Sequence, residues 1–204
     1  MNKIKLIGVG AAARVGKDTF ANCLIELFKR DGFIAKKYSL ANELKKDMQQ
    51  FLAEKCSMNV WTEDTNEKSK FRELLVSYGK IQRIRTNGTY WTSILQKQIV
   101  ADAHSVSSDK PFIAIIPDIR YAEYEQDEHN WIKSQGGKLI HLERIEHNKL
   151  IDPANFEEKA NSPMIKEYAD FAVTWHTMSN IEIDNFDSYH YNVVKPIYSQ
   201  IKPQ

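Results

Sequence analysis

The sequence predicts an α/β fold built on a parallel sheet of about five strands. Three observations carry this. The apolar run Ile4-Lys-Leu-Ile-Gly-Val9 passes through a small-residue loop into a segment of helical period. A run without polar alternation suits a parallel strand covered on both faces. A second strand-then-helix pattern follows directly, Ile34-Ala-Lys-Lys-Tyr-Ser39 into Leu40-Ala-Asn-Glu-Leu-Lys-Lys-Asp-Met48. The stretch Pro111-Phe-Ile-Ala-Ile-Ile-Pro117 then reads as the most deeply buried strand.

The loop after the first strand is the most informative stretch: Gly8-Val-Gly-Ala-Ala-Ala-Arg-Val-Gly16-Lys17-Asp18-Thr19. Strand, small-residue loop and helix in that order bring several backbone N–H groups together at a helix N-terminus, and a lysine adds a full positive charge. The stretch reads as a Walker A phosphate loop, with Ala13, Arg14, Val15, Gly16, Lys17, Asp18 and Thr19 around the phosphates. It departs from the motif twice. Ala11 stands where the first glycine falls, and Asp18 follows the lysine where Ser or Thr is usual.

The next elements follow from period and punctuation. Phe20, Leu24, Leu27 and Phe28 recur at helical spacing until Asp31-Gly32. Residues 56–70 are polar and aperiodic, hence a loop; a helical pattern returns at 71–77, is interrupted at Gly79, and resumes over 92–104. Between these lies Lys80-Ile-Gln-Arg83-Ile-Arg85-Thr-Asn-Gly-Thr-Tyr-Trp91. Arginine beside aromatic rings suits an anion attached to a flat base; the same residues equally describe a solvated basic helix face with Trp91 in the core.

Asp118-Ile-Arg120 sits at the carboxyl end of the strand 111–117. Ligands of open α/β sheets bind outside that end, so Asp118 and Arg120 are expected to face the same crevice as Lys17. The alternative is that Asp118 caps the following helix and Arg120 pairs on the surface. Residues 121–135 look helical, Gly136-Gly137 punctuates them, and Lys138-Leu-Ile-His-Leu-Glu143 is a fourth strand. The span 146–162 has no period and reads as a flap over the crevice. Asp170-Phe-Ala-Val-Thr-Trp175 is a fifth strand, and 188–201 a final helix.

With 204 residues, 42% of them apolar, the chain fits one domain, residues 1–204. Its net charge of +1 offers no broad basic surface for a polymeric nucleic acid or a membrane. Its two cysteines fit neither a zinc knuckle nor a disulfide scaffold, and no apolar run approaches spanning length, so a soluble cytoplasmic protein is expected.

Taken together these residues resemble the tailed-phage deoxynucleoside monophosphate kinases, within the adenylate-kinase-like group of phosphate-loop kinases. The likeness runs through Gly16-Lys17-Asp18-Thr19, where that family also often has Asp after Lys, and Ser39-Leu-Ala-Asn-Glu-Leu-Lys45. It continues through Arg72 with Gly79 and Trp91, Asp118-Ile-Arg120-Tyr121, and Gly136-Gly137. It departs at Tyr124, where an acidic residue is expected, and at Asn161-Ser162-Pro163, where a His-Ser-Glu-like element is expected.

The resemblance implies a three-layer α/β/α P-loop NTPase fold, with substrate-binding helices inserted at about 41–108 and a lid-like flap at 146–162. It implies ATP and Mg²⁺ as cofactors, with Asp18 and Thr19 at the metal. Lys17, Asp118 and Arg120 would be catalytic, and Arg72, Gly79, Arg83, Arg85, Trp91, Asp118 and Arg120 would hold the monophosphate. The expected partners are small nucleotides, ATP and a dNMP, in a host cytoplasm if the chain is phage-encoded; a homodimer is left open. Another small kinase, acting on a nucleoside, a coenzyme-A precursor or a modified base in DNA, is the enzymatic rival. A non-catalytic nucleotide-binding module is the rival from a different class.

Overall fold

The computed structural model describes residues 3–153, 156–177 and 186–203. Within them the chain runs β1 (Ile4–Gly10), α1 (Lys17–Arg30), β2 (Ala35–Lys37), α2 (Leu40–Cys56), α3 (Thr65–Arg85), α4 (Thr89–His104), β3 (Phe112–Ile119), α5 (Glu128–Ser134), β4 (Lys138–Glu146), β5 (Lys149–Leu150), α6 (Phe156–Tyr168), β6 (Phe171–His176) and α7 (Phe186–Ile201).

The parallel strands lie in the order β2-β3-β1-β4-β6. β1 pairs with β3 from Ile4↔Phe112 to Gly10↔Ile119, and with β4 from Ile7↔Lys138 to Gly10↔His141. The carboxyl ends of the three central strands therefore finish side by side. β1 continues into α1 on one face of the sheet, whereas the chain leaving β3 reaches α5 on the other. The crevice between those diverging connections is where such sheets bind ligands.

Alternation along the strands divides the core. Ile7, Val9, Ile113, Ile115, Ile140 and Leu142 pack against α1 and α7, while Leu6, Phe112, Ala114, Ile116 and Leu139 pack against α4 and α5. Phe20, Leu24 and Phe28 of α1 are fully buried, each contributing about 1.5–3 kcal/mol of apolar burial. A third cluster, Met48, Leu52, Val60, Phe71 and Leu75, joins α2 to α3 away from the sheet.

Four expectations change. α3 begins at Thr65 inside the supposed loop, because Asp64 accepts the amides of Asn66 (2.7 Å) and Glu67 (3.3 Å); its first two turns are polar, so the apolar period stays silent until Phe71. Gly79 does not interrupt α3, which continues to Arg85. The helix expected over 121–135 is confined to Glu128–Ser134, since the Asp127 carboxylate takes the amides of Glu123 and Tyr124, both at 2.8 Å, and holds 120–127 as a turn.

The span 146–162 is not an aperiodic flap. His147 (φ 49°) and Asn148 (φ 61°) turn β4 back into β5, a two-residue hairpin connection with both φ positive, and α6 starts at Phe156. Among the described residues no helix is long and apolar enough to cross a membrane.

Candidate active site

Residues 11–16 carry the chain from β1 to α1. Arg14 (φ 64°) and Gly16 (φ 91°) adopt left-handed backbone, the kind of turn in which successive N–H groups form an anion-binding concavity. Ala11 has no positive φ, so its methyl group meets no conformational penalty where the motif has glycine. Gly16 has no substitute: besides its φ, an added Cβ would lie 2.5 Å from Trp175 Cζ2. Trp175, on β6, donates its indole N–H to the Val15 carbonyl (2.7 Å) and meets Phe20 edge-on, so the loop rests on an aromatic floor.

Lys17 opens α1, and its ammonium donates to the carbonyls of Ala12 (2.6 Å) and Ala11 (3.1 Å). Burial, then the Arg120 guanidinium, lowers its pKa to about 8, against the opposing pull of Glu158, Asp118 and Asp18. Lys17 thus shares one electrostatic neighbourhood with the corner after β3.

At that corner the Asp118 carboxylate is engaged by the protein itself. It accepts from Ser39 Oγ (2.7 Å), Ala41 N (2.9 Å) and Leu40 N (3.2 Å), so Asp118 caps α2 rather than the helix that follows it in sequence. Arg120 is partly exposed and faces Glu158, Nη1 to Oε1 3.5 Å. The amides of Arg120 (2.5 Å) and Tyr121 (3.1 Å) both donate to Glu128 Oε2. Burial raises the Glu128 pKa to about 8, although the Arg120 amide bond pulls the other way.

Ala13 of the loop and Asp118, Arg120, Tyr121 and Glu128 of the corner border a cavity of about 380 Å³ that extends to α2–α4, and Lys17 stands outside its lining. Leu40, Leu44, Val60, Phe71, Leu75, Val76 and Trp91 form an apolar wall; Lys45, Lys68, Arg72 and Arg120 bring positive charge, Asp118 and Glu158 negative, while the buried Glu128 carboxyl is mostly uncharged near neutral pH. That size and lining suit a small molecule with a flat apolar part and an anionic part.

Of the residues expected at the site, Ala13, Arg72, Gly79, Arg83, Trp91, Asp118 and Arg120 line this cavity. Besides Asp118, two do different work from that expected. Arg83, only 3% exposed, is held by Asp127 at 2.8 and 3.1 Å and lies 3.6 Å from the Tyr121 ring centroid. Burial opposes its charge, but the Asp127 hydrogen bonds outweigh it and its pKa is raised. Its guanidinium is committed to the 120–127 turn rather than to a phosphate. Trp91 is a core residue at the cavity wall, donating to the Gly79 carbonyl (3.3 Å) and packed edge-on against Tyr78 and Tyr90.

Arg85 lies outside the cavity lining, exposed and bonded to Gln82 (2.8 Å). Asp18 is exposed and paired with Lys37 at 2.9 Å, and Thr19 is half-buried beside it.

Among the described residues no three His, Cys, Asp or Glu side chains gather as a metal cage. Mg²⁺ at a nucleotide needs only one or two protein oxygens, the rest coming from phosphates and water. The exposed Asp18 carboxylate and the Thr19 hydroxyl, on the first turn of α1, fit that requirement.

Sequence reading missed Glu128, Glu158, Trp175, Lys45 and Lys68. Glu128 carried a usable signal, an acidic residue opening a helix after Asp127; Glu158 lay in a stretch without period.

No family model matches the chain, and no curated protein matches it. Among solved structures it is similar to one described as "Crystal structure of APE1195", with 13% identity over 97% of this chain and 98% of the other, at a TM-score of 0.36. A likeness that slight bears on no functional assignment.

Proposed function

We propose that the protein is a deoxynucleoside monophosphate kinase with a P-loop kinase fold, transferring the γ-phosphoryl group of ATP to a dNMP to give dNDP and ADP. The observation that carries the reading is convergence: the loop ahead of α1, through Ala13, meets Arg120 at one cavity whose other walls are an apolar slot and the guanidinium of Arg72, and Lys17, just behind that lining, lies within the field of Arg120. The strand order and the diverging connections of β1 and β3 support the fold.

In this reading the left-handed loop and Lys17 hold the triphosphate. The apolar wall from Leu44 to Trp91 takes the base, and Arg72 with Arg120 clamps the acceptor phosphate. An oxygen of the acceptor bonds to the γ-phosphorus as the bond to the β,γ-bridging oxygen breaks, and ADP leaves with that electron pair. The acceptor oxygen is already anionic, so alignment and charge neutralisation matter more than a base. Mg²⁺, held by Asp18 and Thr19 with nucleotide oxygens, would neutralise charge between the phosphates. Asp118 acts by fixing α2 against β3, and Arg83 by holding the turn that carries Arg120.

A panel of dNMPs, rNMPs, nucleosides and oligonucleotides with labelled ATP tests the acceptor class. Label on dNMPs is expected; label on nucleosides or oligonucleotides alone would move the assignment to another small kinase. A second reading, a module that senses nucleotides without transfer, draws on the Lys17 ammonium being turned onto the loop's own carbonyls. Binding of both nucleotides with no ADP formed would favour it.

A further inference from the structure

Resting on the kinase reading, we propose that Glu158 of α6 is an internal stand-in for phosphate, occupying the anion subsite between the loop and Arg120 and withdrawn when nucleotide enters. Its Oε2 accepts the Ala13 N–H at 3.0 Å, and its Oε1 faces Arg120 Nη1 at 3.5 Å. The side chain is 8% exposed and sits within the electrostatic field of Lys17. One carboxylate from a distant part of the chain therefore takes both a loop amide and the corner guanidinium, the two kinds of donor that a phosphate at this position requires. A phosphate cannot share them, because like charges at that separation repel.

The attachment of α6 says what moves. Its C-terminal half is fixed: Asn161 Oδ1 accepts the Ala122 amide at 3.2 Å, Lys166 pairs with Glu143 at 2.7 Å, and Ile165 packs so closely that a Cβ on Gly10 would lie 2.4 Å from its Cγ2. Glu158 precedes this anchored part, and Pro163 lies inside the helix. A proline there has no N–H for the carbonyl four residues earlier, that of Lys159, so the helix is weakest where the two parts meet. The N-terminal part of α6, or the Glu158 side chain alone, swings out while residues 161–168 stay in place.

The test is calorimetric titration of inorganic tripolyphosphate into the wild type, Glu158→Gln, Glu158→Ala, and Glu158→Gln combined with Lys17→Ala, with melting curves to confirm folding. Glutamine keeps a carbonyl for the Ala13 amide but removes the charge. Both single variants should bind roughly 5- to 150-fold more tightly than the wild type, the usual span of a coupling between competing contacts, and the Lys17 replacement should abolish that gain. Equal or weaker binding in the single variants, with turnover reduced, overturns the proposal, because Glu158 would then orient Arg120 rather than compete with phosphate; the kinase reading survives that result. Failure of every protein to bind tripolyphosphate overturns both.

Discussion

Lys17 opens α1 and Arg120 follows β3, yet the Arg120 guanidinium acts on the Lys17 ammonium. Replacing either with Ala should lower turnover roughly 10²- to 10³-fold, as expected for loss of one preorganised charge, with the melting temperature little changed. Near-normal turnover in either variant would remove that residue from the mechanism. Glu128 gives a separate, pH-dependent signature. Its folded pKa, about 8, lies above the unfolded value of 4.5. Its contribution to stability is therefore complete below 4.5 and lost as pH rises through about 8, at no more than about 1.4 kcal/mol per pH unit. Arg83, Asp118 and Asp127 also act on it, so the informative quantity is a difference between proteins. In Glu128→Gln, whose carbonyl still receives the Arg120 and Tyr121 amides, urea stability should fall less between pH 5 and 8 than in the wild type. Identical profiles would show that Glu128 is ionised in the fold. At this scale the sequence announced Lys17 and the Asp118–Arg120 corner. It could not say that Asp118 would be used by α2, or Arg83 by Asp127, since both pairings join residues more than forty positions apart.

Elements were legible wherever apolar period and punctuation agreed, as in β1, α1, β3 and β4. They were not where polar side chains or tertiary bonds decide the backbone. The opening of α3 is set by the Asp64 cap, and the 120–127 turn by Asp127, which is fully buried and accepts from Arg83, Glu123 and Tyr124. Asp127→Ala should cost about 3–5 kcal/mol in urea unfolding, because it leaves the buried Arg83 guanidinium with only the longer, half-exposed Glu123 contact (3.3 Å) and removes the acceptor for the Glu123 and Tyr124 amides. A loss under about 1 kcal/mol would mean that the turn does not depend on that pair. The loop makes a second prediction. Gly16→Ala forces a positive φ on a side chain that also strikes Trp175, so it should weaken ATP binding and lower the melting temperature together. Wild-type binding in that variant would show that the loop's shape is not set by its aromatic floor.

Over the whole molecule the division of labour is simple. The sheet brings the ends of β1, β3 and β4 into line, α1 and α7 cover one face, and α4 and α5 cover the other. The α2–α3 pair, with a small apolar cluster of its own, closes the far side of the cavity. The parallel sheet followed from successive strand–helix units, but the strand order, with β3 between β1 and β2, did not, and nor did the depth of the cavity, which depends on α3 running unbroken through Gly79. The central claim is that loop and corner act on one phosphoryl group. It is tested most directly by following label from γ-labelled ATP in the presence of each dNMP, with the wild type and Lys17→Ala side by side. The account predicts labelled dNDP formed in step with ADP by the wild type, and roughly a hundredfold or greater loss in the variant. Labelled dNDP formed equally fast by Lys17→Ala, or none formed by the wild type with any dNMP while both nucleotides bind, would contradict it.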